Sequence, residues 1–195
     1  MNGNLRRDAE AIVRSAITAV LPDRAVERAL ERMTFPGRGF LVAAGKAAWQ
    51  MSRAAVEHLS VPIAGGVCVT KYGHVMGAIP GVECIEGGHP VPDENSFRGA
   101  ERILALTKDL TQNDTVLFLL SGGGSALFEK PLIPGQELQD ITNQLLACGA
   151  DIVKINTIRK RLSAVKGGKF AQWCAPARIE AVVLSDILGI GRAHV

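Results

Sequence analysis

Two uninterrupted aliphatic runs, Gly39-Phe40-Leu41-Val42-Ala43-Ala44 and Thr115-Val116-Leu117-Phe118-Leu119-Leu120, lead straight into glycine-bearing turns, Gly45-Lys46 and Ser121-Gly122-Gly123-Gly124-Ser125. A strand wetted on one side alternates apolar and polar residues, so a run without alternation is buried on both faces. Double burial needs helices on both sides of the sheet, and helical spacing is what separates the runs. Leu5, Ala9, Ile12, Val13, Ala16, Ile17 and Val20 mark a helix over 5–20 that Pro22 closes. A short helix to Met33 follows, then others over 47–59, about 95–108, 136–147 and a basic stretch at 151–164; further strands fall at 63–70, 82–86 and 179–184. The pattern predicts a single Rossmann-like α/β domain, a mostly parallel sheet flanked by helices.

Composition removes several alternatives. With 47% hydrophobic and 21% charged residues, the protein is not a disordered segment, and aromatics at 5% make its core aliphatic. A net charge of +3 is too balanced to suggest a nucleic-acid partner. The longest apolar run, 116–120, is far short of the ~20 residues of a membrane span. No signal-like segment opens the sequence, and Cys68, Cys84, Cys148 and Cys174 have neither metal-knuckle nor CxxC spacing. These features predict a cytoplasmic protein with reduced, mostly buried thiols.

Parallel sheets bind ligands beyond the carboxyl ends of their strands, and three motifs fall there. The Ser121–Ser125 loop exposes main-chain amides that a ligand can approach without side-chain hindrance. A helix after it would add positive charge at its N-terminus, so the loop reads as a phosphate or carboxylate cradle. It matches neither a Walker A loop nor a dinucleotide fingerprint. Lys46 stands where strand gives way to helix, opposing the helix dipole unless an anion is near. In Gly87-Gly88-His89-Pro90-Val91-Pro92-Asp93-Glu94-Asn95-Ser96, prolines stiffen a loop that holds His89, and Asp93 or Asn95 can cap the next helix. His74, in a second loop, can lie near. Between Asp151 and Glu180 there are seven basic residues and no acid, with Asn156, Arg159 and Lys160 on one helical face. That patch calls for an anion, and Arg159 can grip one with two hydrogen bonds.

AAGKAA (43–48), GGHPVPDENS (87–96), LSGGGSALF (120–128) and INTIRKRLSAVKGGKFA (155–171), in this order, resemble the N-terminal domain of the glycerate 2-kinase family, often labelled hydroxypyruvate reductase. The resemblance runs from about residue 5 to Asp186. It implies transfer of phosphate from ATP, with Mg²⁺, to the 2-hydroxyl of D-glycerate, giving 2-phosphoglycerate. It implies Lys46 as the catalytic lysine and Ser121, Gly122, Gly123, Gly124 and Ser125 as the nucleotide-phosphate loop. His89, Asp93, Asn156, Arg159 and Lys166 fall in motifs assigned to the substrate, and Asp186 ends a strand where a Mg²⁺ carboxylate fits. Family members run on into a MOFRL domain, against which this one packs. Here 1–186 follow the pattern, 187–195 diverge from it, and no second domain follows. The expectation is therefore an impaired kinase, with self-association possible. Beside it stand a hydroxypyruvate reductase, which needs a nicotinamide fingerprint that the sequence lacks, and a non-catalytic anion- or nucleotide-binding module.

Overall fold

A computed structural model describes residues 2–185. In sequence order the elements are α1 (Asn2–Ala19), α2 (Pro22–Leu30), β1 (Gly39–Ala44), α3 (Ala48–His58), β2 (Ile63–Lys71), β3 (Val82–Gly87), α4 (Glu94–Leu106), β4 (Thr115–Ser121), α5 (Gly124–Leu127), α6 (Gly135–Ala147), α7 (Ile152–Arg161), α8 (Lys169–Cys174) and β5 (Arg178–Leu184). The five strands form one sheet in the order β3-β2-β1-β4-β5. Every pairing in it is parallel. The expected layered α/β architecture is therefore what forms.

All six residues of β1 are buried, because β1 sits at the centre with helices on both faces. Phe40, Val42 and Ala44 join a core with α4, α5 and α8, in which Phe118, Phe128 and Phe170 pack edge to face or tilted with ring centroids 5.0–5.8 Å apart. Leu41 and Ala43 face the other way, onto α2 and α3 through Val26, Leu30, Met51 and Ala55. Strand periodicity alone divides the two cores.

Strands β1, β2 and β3 step outward in one direction, and the sequence then returns to place β4 on the other side of β1. The carboxyl ends of β1 and β4 are therefore the switch point of the sheet, where open parallel sheets bind their ligands. At the opposite end of the sheet, Arg38 donates two hydrogen bonds to Asp114, at 2.8 and 2.9 Å. Asp114 also accepts from the amide and hydroxyl of Thr111, at 2.7 and 2.9 Å. Thr115 N–H donates to Arg38 O and Arg178 N–H to Asp114 O, so this knot sets the starts of β1, β4 and β5 together.

Three local features, at Pro22, the basic helix and α8, differ from the sequence expectation. Pro22 opens α2 at its first turn, where its missing N–H costs nothing, as well as following α1. The basic helix stops at Arg161, because the next residues pair with the segment before α6: Leu132 N–H donates to Leu162 O and Ala164 N–H to Lys130 O. The six-residue α8 has no counterpart in the reading, since its start is hidden by the turn glycines 167 and 168. The apolar stripe of α1 is left bare, with Leu5 and Val20 at 70% and 72% exposure. No described helix is long and apolar enough to cross a membrane. Of the four free cysteines only Cys68 and Cys174 are fully buried, and Cys148 is exposed.

Arg38 and the Thr111 donors hold the Asp114 carboxyl far below the usual carboxylate range. A depressed folded-state value means the stabilisation is complete above the unfolded pKa, about 3.9, and is lost as pH falls below it. Asp114→Asn should therefore lower stability at pH 7 by about 1–3 kcal/mol and flatten the loss of stability below about pH 4. Urea titrations of both forms from pH 7 to pH 3 check this.

Candidate functional site

Ala44 at the end of β1 pairs with Leu120 at the end of β4, so the turns after both strands emerge side by side. Main-chain and hydroxyl hydrogen bonds lock them. Lys46 N–H donates to Gly122 O at 2.9 Å, and Ala47 N–H donates to Ser121 Oγ at 3.0 Å. From the β2 side, Gly45 N–H donates to Val69 O at 3.1 Å and the Thr70 hydroxyl to Gly45 O at 3.0 Å. Gly45 has φ +129°, and a Cβ there would collide with Ser121. Only glycine allows the two turns to close on each other.

Lys46 lies in the turn ahead of α3, exposed, with its side chain along Gly122: a Cβ on that glycine would sit 3.9 Å from Nζ. A Cβ on Gly123 (φ +88°) would meet Cδ2 and Nε2 of His89 at 2.7 and 2.9 Å, and Cγ of Lys46 at 3.3 Å. The 87–93 loop therefore crosses from β3, at the sheet edge, over the ends of β2 and β1 to the tip of β4. Lys46, His89, Gly122 and Gly123 converge on one spot. Burial, then the charges of Lys46 and Lys71, keep His89 below the ordinary histidine range and so favour its neutral form.

The loop is anchored through Asp93. Its Oδ1 accepts from Gly88 N–H, Ser96 N–H and Ser96 Oγ, and its Oδ2 accepts from the Tyr72 hydroxyl at 2.7 Å. Asp93 is thus the N-cap of α4 in a capping box. Of the remaining loop residues, Ser121 is the clasp described above, Gly124 is buried, and Ser125 is exposed but gives its carbonyl to Arg159. The helix expected after the glycines exists only as the four-residue α5. The turn therefore presents glycine main chain and Lys46, with little contribution from a helix dipole.

The basic segment is organised differently from its sequence reading. Arg159 and Lys166 turn inward around Glu129, which is completely buried. Lys166 Nζ lies 2.6 Å from Glu129 Oε2 and donates to Phe128 O at 2.9 Å. Arg159 Nη2 lies 3.7 Å from the same oxygen and donates to Ser125 O at 2.8 Å. Lys169 donates to Lys160 O and Ser163 O, Lys154 pairs with Asp151, and Arg178 pairs with Glu180. Most of the charge that seemed to seek an external anion is met from within. Asn156 is half-buried on α7, and Asp186 lies outside the described residues. Glu129 escaped the sequence reading because its partners are 30 and 37 positions away. Its one signal was a lone acid after an apolar run. Lys71 and His74 also join the neighbourhood: His74 Nδ1 lies 2.8 Å from Lys46 O, so that nitrogen carries the proton.

Burial is the main force lowering the Lys166 ammonium to about 8, against the pull of Glu129. Glu129→Ala would strand two buried cations, with an expected loss of about 3–5 kcal/mol in chemical denaturation. Gly123→Ala should cost about 1–3 kcal/mol, from its left-handed backbone and its contact with His89. It should also weaken binding of inorganic phosphate, read by calorimetry.

The family profile described as Domain of unknown function (DUF4147) matches residues 8–193. A D-glycerate 2-kinase of Thermotoga maritima is 53% identical over 188 residues, covering 95% of this chain and 45% of that protein. A glycerate 2-kinase of Pyrococcus horikoshii is 41% identical over 192 residues, covering 91% of this chain and 42% of that protein. A crystal structure of glycerate kinase from Thermotoga maritima superposes with a TM-score of 0.88 at 52% identity, over 96% of this chain and 46% of that one. The chain spans less than half the length of these relatives.

Proposed function

The chain belongs to the DUF4147 family as an N-terminal domain of the glycerate 2-kinase type, and from that premise we propose that it carries the phosphate-handling face of an ATP-dependent kinase that phosphorylates the 2-hydroxyl of D-glycerate. The observation that carries this reading is the meeting of Lys46, His89 and the Gly122-Gly123 main chain at the switch point of the sheet. In phosphoryl transfer the acceptor oxygen attacks the terminal phosphorus while the bond to the ADP oxygen breaks. The protein's contribution is mostly position and charge. Gly122 and Gly123 let phosphate oxygens come against the backbone. The Lys46 ammonium, with no acidic partner among the described residues, neutralises charge gathering on the transferred group. A largely neutral His89 closes the pocket from above and offers a hydrogen bond to substrate oxygen.

Arg159, Lys166 and Glu129 serve this site from beneath. Arg159 and Lys166 hold the carbonyls of Ser125 and Phe128, at the two ends of the turn that follows the glycines. Asp93 acts through the loop that carries His89. The described residues do not form a Mg²⁺ cage: no trio of acidic, histidine or cysteine side chains gathers among them. Asp93, the carboxylate in the loop beside the pocket, is already bonded on both oxygens. The reductase alternative gains nothing from the geometry, since the turn after β1 presents Lys46 where a dinucleotide site has its glycine fingerprint.

Lys46→Ala should weaken ATP binding, measured by calorimetry, about tenfold or more with the fold intact by circular dichroism. Unchanged affinity would remove Lys46 from the phosphate site. D-glycerate-dependent release of ADP, followed in a coupled assay, tests the transfer itself.

A further inference from the structure

The phosphate side of the site accounts for Lys46 and the glycine loop but leaves Lys71 unused. Lys71 is the last residue of β2, in register with Gly87 at the end of β3 and one strand from Lys46 on the side away from β4. Its ammonium, like that of Lys46, has no acidic partner among the described residues. A half-buried lysine at the ligand-binding end of a parallel sheet, without a counterion, is set to receive one.

Its position relative to His89 is fixed. Tyr72, the next residue, donates its hydroxyl to Asp93 Oδ2 at 2.7 Å, and Asn95 Nδ2 donates back to that hydroxyl at 2.9 Å. The turn after β2 is thereby laced to the loop that carries His89. The same turn is held from β3 by Glu86, whose Oε1 accepts from the amides of His74 and Val75 at 2.9 and 2.8 Å. His74 then reaches the carbonyl of Lys46. Three loops are tied in one arrangement, and the charges of both Lys46 and Lys71 act on the His89 imidazole.

The charged groups around His89 are these two lysines, and both disfavour its protonation. The acids nearby, Asp93 on its own loop and Glu86 on β3, are spent on the loop bonds just described. The surroundings of this largely neutral imidazole are therefore positive. A bound anion would reverse the balance and draw a proton onto His89.

We propose that Lys71, together with His89, forms the acceptor-side subsite of this site and holds the carboxylate of a small hydroxy acid, while Lys46 and the glycine turn hold the phosphate. This rests on the kinase reading, and it adds a residue and an orientation to it. The acceptor's carboxylate lies toward β2 and its hydroxyl toward β4, between the two lysines.

The test follows the His89 imidazole by NMR in the whole protein, with D-glycerate as the probe, and follows ATP separately by calorimetry. Addition of D-glycerate to the wild-type protein should raise the His89 pKa. Lys71→Met and the milder Lys71→Gln should raise the His89 pKa in the free protein. Each should also weaken D-glycerate by about fivefold or more, the scale of one lost charge contact, while ATP affinity stays within about twofold. Lys108→Met, at the far end of α4, should change none of these. The proposal is overturned if D-glycerate does not bind, or if both Lys71 variants leave His89 and D-glycerate affinity unchanged. It is equally overturned if Lys71 substitution weakens ATP and spares D-glycerate, a result that leaves the kinase reading standing. Loss of the kinase reading alone would show as absent ATP binding with the Lys71-dependent D-glycerate response intact.

Discussion

The clasp between the ends of β1 and β4 is what every feature of the site depends on. Two hydrogen bonds, Lys46 N–H to Gly122 O and Ala47 N–H to Ser121 Oγ, turn two neighbouring strand ends into one surface. They form because the strands are parallel and in register, and because Gly45 allows the approach. With the backbone spent on the clasp, the Lys46 side chain is left free to lie along the glycine turn. A side chain at 45 would separate the turns and carry the ammonium away from the amides it works with.

The second constraint is a charge balance hidden under the loop. Arg159 and Lys166 come from the basic segment after α6, and Glu129 comes from the end of the glycine turn. Two cations around one buried carboxylate leave an excess of positive charge just below the glycine turn. Burying such a group is expensive unless each member is held, and here each cation also bonds a main-chain carbonyl of the turn. Stability and electrostatics are coupled at this point, since the residues that hold the turn also bias its charge.

The helix α1 stands apart from both. The stripe of Leu5, Ile12, Val13, Ile17 and Val20 shows helical spacing suited to packing, yet all five are more than half exposed. The protein spans less than half the length of the relatives it matches. Asp186, assigned to a metal from the resemblance, falls beyond the described residues.

The sequence by itself determined the layered architecture, because doubly buried strands leave continuous aliphatic runs such as 39–44 and 115–120, and these signals are local. It also set Lys46 and the glycine turn at strand ends, which are visible as the places where aliphatic runs stop. Only the tertiary structure decided what the charges do. Arg159 and Lys166 turned toward Glu129, and Tyr72 tied the turn after β2 to the loop of His89. Each of these outcomes depends on partners brought together by strand order and loop crossing. Residue spacing along a polypeptide carries no record of which distant charge will arrive to neutralise another.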